Sequence, residues 1–545
     1  MIYLSAFFLS LFITIALIPI FIKLALRFGI VDMPAARKVH AAPIPRIGGL
    51  AIALGACIPI IIWQSATDFT RAFLAGAGVL VIVGFLDDWK DLNFKIKFAG
   101  QIIAALIVVL FGGITINSLG SLLPDGFLLP GWCAITLTVV AIVGVTNAIN
   151  LADGLDGLAA GLSFLSLCCI GYLAHDVDNL IVIFIALALA GAIFGFLRYN
   201  THPATLFMGD TGSQLLGFSV VTLSLGITQT NTPLSPLLPL IIVGFPVLDT
   251  LVVMSERIAH GRSPFAADKN HFHHKLMRLG LYQTESVFVI YVLQSMLIGA
   301  AILFKFYSDW FLLVGYLIFS GLILTGFALL ERVGWDRNRL SFFDRVIKGR
   351  LKALKDSGFF IKVTFKTLEI GLPLLLLITC CLPAAIPGSF AILSASLLGI
   401  VVVVLLFKKN WLRAPLTMVL YLFIPFVVYA SVESKSPWIS GNGWKMYNIL
   451  YLGLVFLVML TLKFTKRQRG FKVTTMDFLI LFIALIVPYL AGDYIQVSNM
   501  PTIVTRIIIF FFSYEVLFGE LREKLGRLAI MTGAALALVV IRGIL

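Results

Sequence analysis

Residues 147–161 read NAINLADGLDGLAAG, and they close an apolar run, Trp132 to Thr146, at the point where a membrane-spanning segment should meet water. Asn147, Asn150, Asp153 and Asp156 recur every third position. On a helix of 3.6 residues per turn they wind over roughly half the circumference, near one face. Gly157 and Gly161 behind them leave a groove into which a neighbouring helix can settle. A helix cap with a tight packing motif accounts for one Asp-Gly pair. Two such pairs with two asparagines beside a membrane call for more, because clustered carboxylates and carboxamides are hard oxygen ligands suited to Mg²⁺.

The surrounding chain supports the membrane reading. Of 545 residues, 60% are hydrophobic and 12% charged, about half the charged fraction of a soluble domain, roughly 25%. The expected class is an all-α, polytopic integral membrane protein. Apolar runs to about Leu26 and over 47–64, 72–86, 97–112, 132–146, 158–174, 180–197, 213–228, 236–255, 285–304 and 310–330 predict eleven spans in residues 1–330. The first reads as an uncleaved helix rather than a signal peptide, since neither a basic leader nor a small-residue cleavage site accompanies it. A basic stretch follows at 331–365, with Phe343, Ile347, Leu351 and Leu354 on one helical face, as in an amphipathic helix lying on a membrane. Residues 366–545 hold about seven further runs, from 367–385 through 475–492 to 527–543, and Arg506 weakens the run at 502–518. No repeat links the two halves.

Charge orients the spans. One alternate set of loops in the first part carries fourteen basic residues, from Lys23 and Arg27 to Lys275 and Arg278, and the other set only Arg71 and Lys305. The positive-inside rule places the first set in the cytoplasm and the N-terminus outside. The net charge of +14 therefore speaks for anionic lipid and anionic substrates rather than nucleic acid. Six cysteines lie in apolar runs without CxxC spacing and read as small core residues.

Every polar motif falls in a cytoplasmic loop. RKVHAAPIPRIGG (37–49) offers Arg37, Lys38 and Arg46, which singly read as inner-leaflet anchors. DDWKDL puts Asp87, Asp88 and Asp91 at the membrane edge, where an acidic triple is a poor anchor and a solvated helix end is the plain alternative. RYNTHPATLFMGDTGS (198–213) sets Asp210 between Gly209 and Gly212; Phe207 beside it is either a stacking surface for a base or ordinary packing. GRSPFAADKNHFHHKL (261–276) brings Arg262 and His271, His273 and His274. Zinc would suit the histidines by residue type, but no cysteine accompanies them and the carboxylates favour a harder ion, so they read as donors to phosphate. A divalent cation among carboxylates and basic side chains suits phosphoryl transfer. No Walker loop or GxGxxG follows a strand, so a nucleotide must be held by helix-end loops.

DDWKD, NAINLADGLDGLAAG, PATLFMGDTGS and DKNHFHHKL, in this order and spacing, closely resemble the polyprenyl-phosphate N-acetylhexosamine-1-phosphate transferases, membrane enzymes of the WecA, TagO and MraY type, over residues 1–330. The resemblance implies attack of undecaprenyl phosphate on a UDP-N-acetylhexosamine, by default UDP-N-acetylglucosamine. The products are a polyprenyl-diphospho-sugar that initiates envelope polysaccharide, and UMP. It implies Mg²⁺, or Mn²⁺ in its place, on Asp210 and Asn150, and Asp87 and Asp88 positioning or deprotonating the lipid phosphate. Asp153, Asp156, Asn200, Phe207 and Arg262 fall on the donor side, with Phe207 on uracil. His271, His273 and His274 resemble the loop that closes on the diphosphate. HFHH departs from the unbroken triplet of the muramyl-pentapeptide branch, which favours the simple N-acetylhexosamine branch. The implied location is the bacterial cytoplasmic membrane. Residues 366–545 match no motif and are expected to be a separate module that docks a partner on the same lipid-linked sugar, joins a homodimer, or is a passive annex. A transporter would instead carry its charges near the bilayer midplane, and a decayed scaffold would have lost its aspartates.

Overall fold

The computed structural model describes residues 2–33, 43–124, 126–230, 232–263, 270–332, 359–407, 412–433, 441–464, 500–521 and 525–544. It is 81% helical and divides into two units, Met1–Arg339 and Leu340–Leu545. The expected all-α polytopic class holds, with twelve helices among the described residues long and apolar enough to cross a membrane.

The first unit runs α1 (Ile2–Phe28), a short hairpin of β1 (Val31–Asp32) and β2 (Ile44–Pro45), α2 (Gly48–Trp63), α3 (Asp68–Lys90), α4 (Phe94–Gly112), α5 (Gly131–Ala152), α6 (Leu158–Asp176), α7 (Leu180–Asn200) and α8 (Gly209–Thr228). It continues through α9 (Leu238–Ile242), α10 (Gly244–Ala259), α11 (Phe272–Arg278), α12 (Gln283–Leu303) and α13 (Asp309–Arg332). The centre is α8, wholly enclosed and packed by α2, α3, α5 and α6. Its composition explains the position. Glycines, serines and threonines let neighbouring backbones approach, and Ser219 and Thr228 spend their hydroxyls on Leu215 O and Ser224 O one turn back. At the contact with α3, a Cβ on Gly84 would come 2.6 Å from Thr211 Cα, so only glycine permits that approach.

The apolar run expected to cross as one helix over 236–255 is broken at Val243 into α9 and α10. The cause is Pro246, which has no N–H to return to Ile242 O four residues back. In an apolar interior that carbonyl must find another donor. It takes Gln294 Nε2 at 2.6 Å and Ser166 Oγ at 2.9 Å. Gln294 Oε1 accepts from Phe245 N at 3.3 Å, and Tyr316 donates to Gly244 O at 2.8 Å. Three helices thus repair the break. Residues 147–161 likewise form no continuous helix: α5 ends at Ala152, Asp153 and Asp156 lie in a turn, and Gly157 at φ +79° starts α6.

Helices Phe359–Cys381, Gly388–Phe407, Arg413–Glu433, Gly441–Phe464, Met500–Leu521 and Gly526–Ile544 are the described part of the second unit. Leu372, Leu420, Phe423, Phe510 and Leu517 lie in its core. The run at 475–492 and most of the basic 331–365 connector lie outside the described residues.

Candidate active site

The C-terminal ends of α3, α5 and α7 and the N-terminal ends of α4, α6 and α8 carry the polar motifs, and their side chains converge. Lys97, on the first turn of α4, places Nζ 2.7 Å from Asp87 Oδ2 and 2.7 Å from Asp210 Oδ2. Asp87 Oδ1 accepts from Leu92 N at 2.7 Å. From α5, Asn150 Nδ2 reaches Asp210 Oδ1 at 3.2 Å and Ser213 Oγ at 2.7 Å. One turn deeper, Asn147 donates to Gln101 Oε1 at 2.6 Å, and Gln101 reaches Gln214 Oε1 at 3.3 Å. This buried carboxamide chain locks α4, α5 and α8 in register behind the carboxylates.

Asp88 has a different task. Its Oδ1 accepts from Asp210 N at 2.8 Å, and its Oδ2 accepts from Thr211 N at 3.0 Å and Thr211 Oγ1 at 2.6 Å. It caps the start of α8 from the end of α3. Gly209 at φ +72° makes room, since a Cβ there would meet Asp88 Oδ2 at 2.4 Å. Arg46, fixed beside β2, faces Asp88 at 3.7 Å, Asp32 at 3.8 Å and Asp91 at 4.0 Å. Burial works against its charge, but the Asp88, Asp32 and Asp210 carboxylates outweigh it and raise its pKa. Asp91 ends α3 in the left-handed region at φ 47°, largely exposed, with its amide on Asp87 O.

The turn after α5 forms a second polar shelf. Burial, then the fields of Asp210 and Asp88, push the Asp153 carboxyl up to about 7. Asp156 Oδ2 accepts from Ala204 N at 3.1 Å and lies 2.8 Å from His202 Nδ1. Asn200 ties the two loops together: Oδ1 accepts from Gly157 N at 3.0 Å and Nδ2 donates to Leu206 O at 2.9 Å. Phe207 is half-buried, its amide on Pro45 O at 2.8 Å and its carbonyl taking Gly48 N at 3.0 Å.

The histidines arrive on α11. Asp249 of α10 holds its start, with His271 Nδ1 at 2.9 Å and Phe272 N at 2.8 Å. His273 is stacked 5.8 Å from His271, lies 4.2 Å from His274 and covers Gly154, where a Cβ would meet Nε2 at 2.6 Å. Burial, with His274 and His271 close by, lowers His273 to about 3, so it is neutral at pH 7 and offers one N–H. Arg262 is exposed just after α10. Arg37 and Lys38, and 264–269 of the loop before α11, lie outside the described residues.

The structure thus brings Asp87, Asp88, Asn150 and Asp210 into one cluster and lays His273 over the Asp153–Asp156 turn. Sequence reasoning missed Lys97, which entered only as one of the fourteen basic loop residues, and also Gln101, His202, Ser213, Gln214 and Asp249. Lys97 lies ten residues beyond Asp87, and that spacing was the one available signal. Among the described residues no three His, Cys, Asp or Glu side chains form a closed metal cage. Two carboxylates bridged by an ammonium group, with a carboxamide on one of them, are a donor set that fits Mg²⁺, which takes one or two carboxylates and completes its shell with water and phosphate.

Residues 70–228 match the family model described as glycosyl transferase family 4. A probable undecaprenyl-phosphate N-acetylglucosaminyl 1-phosphate transferase of Bacillus subtilis is 40% identical over 358 residues, 64% of this chain and 96% of that protein. The undecaprenyl-phosphate alpha-N-acetylglucosaminyl 1-phosphate transferase of Escherichia coli K12 is 32% identical over 338 residues, 61% and 90% respectively. A decaprenyl-phosphate N-acetylglucosaminephosphotransferase of Mycolicibacterium smegmatis is 34% identical over 346 residues, 57% and 84%.

Proposed function

The chain belongs to the polyprenyl-phosphate N-acetylhexosamine-1-phosphate transferases of glycosyl transferase family 4, and we propose that it transfers N-acetylglucosamine 1-phosphate from UDP-N-acetylglucosamine to undecaprenyl phosphate. The observation that carries this reading is that Lys97 joins Asp87 to Asp210, with Asn150 on Asp210, at one end of the helices. An oxygen of the lipid phosphate bonds to the sugar-bearing phosphorus, and the bond from that phosphorus to UMP breaks. Lys97 and Arg46 supply fixed positive charge beside the transferring group, where positioning and neutralisation dominate. Asp87, held by Leu92 N and Lys97, faces the acceptor phosphate and orients it. Asp88 keeps the first turn of α8, and so Asp210, in place.

Asp210 and Asn150, with Asp87 adjacent, would hold Mg²⁺, which would neutralise the donor diphosphate. Asp153 and Asp156 face the nucleoside, and Phe207 offers a ring to uracil. His273 lies over the Asp153–Asp156 turn, and His271, His273 and His274 would donate N–H groups to the diphosphate. The fourteen-to-two asymmetry of basic loop residues supports a cytoplasmic site in the bacterial inner membrane, with the N-terminus outside. A polyprenyl-diphospho-sugar made there would start an envelope polysaccharide, and the second unit would serve a dimer or a partner acting on that lipid. Purified protein given undecaprenyl phosphate, UDP-N-acetylglucosamine and Mg²⁺ should release UMP and stop on EDTA. Undiminished turnover in metal-stripped protein overturns the metal assignment, and UMP release without the lipid overturns the acceptor.

A further inference from the structure

Arg506 lies on helix Met500–Leu521 of the second unit and is 6% exposed. Its guanidinium carbon lies 4.8 Å from the Tyr447 ring centroid and 5.4 Å from that of Tyr451, and Nη2 donates to Asn448 Oδ1 at 2.7 Å. All three neighbours come from helix Gly441–Phe464. The Tyr447 hydroxyl lies 3.0 Å from that of Tyr451 and 2.9 Å from Thr379 Oγ1. None of these partners is an anion. Nη1 is buried and has no hydrogen-bond partner among the described residues.

Aromatic faces stabilise a guanidinium, and a purely structural arginine could rest there. The same unit shows how a structural arginine is satisfied: Arg542 spends Nη1 on Cys380 O at 2.8 Å and Nη2 on Pro383 O at 2.6 Å. Arg506 does not. A charged group inside a membrane bundle is costly and marks a ligand site by default. The edge of its planar fork that carries Nη1 has no protein acceptor among the described residues, and such an edge matches two oxygens of a phosphoryl group. The adjoining tyrosine hydroxyls can turn to donate to a third. Asn448 is exposed, so the cluster opens sideways on the bundle surface. Arg506 is six residues from the start of its helix, about 9 Å along the axis.

We propose that Arg506, with Tyr447, Asn448 and Tyr451, forms a binding site for a phosphoryl oxyanion in the C-terminal unit, one carried by the head group of a membrane lipid. The test is native mass spectrometry of the full-length protein with farnesyl phosphate, farnesol or inorganic phosphate. Wild type should bind one more farnesyl phosphate per chain than Arg506→Met, and farnesol should show no such difference. The count is a difference, so it holds whether or not the first unit also binds a polyprenyl phosphate, and UMP release should be equal in both proteins. Arg506→Lys keeps the charge and loses the fork, so it guards against a misfolded methionine variant; its binding should weaken about tenfold while its melting temperature stays near wild type. Equal lipid counts in wild type and Arg506→Met, or undiminished binding in a folded Arg506→Lys, overturn the site. Displacement of the extra lipid by equimolar inorganic phosphate overturns the lipid head group and assigns free phosphate instead.

Discussion

Replacing Asp88 separates positioning from chemistry. The first amides of a helix have no intrahelical partner, and for α8 those of Asp210 and Thr211 are taken by the Asp88 carboxylate, together with the Thr211 hydroxyl. A negative group at a helix N-terminus is also favoured by the dipole. Asp88→Ala leaves two N–H groups without that acceptor, each at about 1–3 kcal/mol if buried and unsatisfied. Asp88→Asn keeps one acceptor but points an NH₂ at donors, a loss of about 1.5–3 kcal/mol for one charge-assisted bond. Thr211→Val removes only the 2.6 Å hydroxyl contact. Relaxation of this turn moves Asp210, and a shift of about 1 Å in a reacting constellation costs roughly 10²-fold. Melting temperature in detergent and UMP release should therefore fall together, most for Asp88→Ala, less for Asp88→Asn and least for Thr211→Val. An Asp88→Asn protein that melts like wild type yet is inactive, beside a fully active Thr211→Val, would refute the positioning argument and give Asp88 a direct part in the chemistry.

Lys97→Met removes the cation shared by Asp87 and Asp210, so a Mg²⁺ titration should show half-activation at lower metal with kcat reduced at least tenfold; an unchanged titration curve would dissociate Lys97 from the metal site. Phe207→Ala should raise the KM for the UDP-sugar by the worth of one stacked base, about 1–3 kcal/mol, with kcat nearly kept, as steady-state kinetics will tell. His273 has a folded pKa of about 3, below the ordinary 6.5, so the unfolded chain takes up the proton first; its stability contribution is complete above pH 6.5 and is lost as pH falls toward 3, at up to about 1.4 kcal/mol per pH unit. Melting curves from pH 7 to 4 should fall less steeply for His273→Gln. Gln294→Leu strips the Ile242 carbonyl and the Phe245 amide of a partner and should lower the melting point by the equivalent of about 1–3 kcal/mol, more than Ser166→Ala, which removes the weaker of the two donors.

What could be read from the sequence follows from contrast. In a chain that is 60% hydrophobic, Asp87, Asn150, Asp210 and the histidines stand out. Apolar runs locate most helices of the first unit to within a few residues, though the run at 47–64 forms a helix of only 16 residues, Gly48–Trp63, shorter than the twelve candidate spans. The break at Val243 was illegible because Gly244, Phe245 and Pro246 sit inside an apolar run, and the groups that make it tolerable, Gln294, Ser166 and Tyr316, come from three other helices. The site's pairings were hidden for the same reason. Lys97 meets Asp210 across 113 residues, Asp88 meets Thr211 across 123 and His271 meets Asp249 across 22. No local pattern encodes such distances; for Asp88 and Thr211 they follow from Gly84, which lets α3 approach α8. Arg506 makes the point from the other side. As a letter it argued against a span at 502–518, because a charge facing lipid is expensive. A helix forms there, Met500–Leu521, though it is not among the twelve described helices long and apolar enough to cross a membrane, and its neighbour presents two tyrosine rings and an asparagine to the charge. A charge that weakens a lone span can be kept inside a bundle, and the partners that keep it there can be read only from the fold.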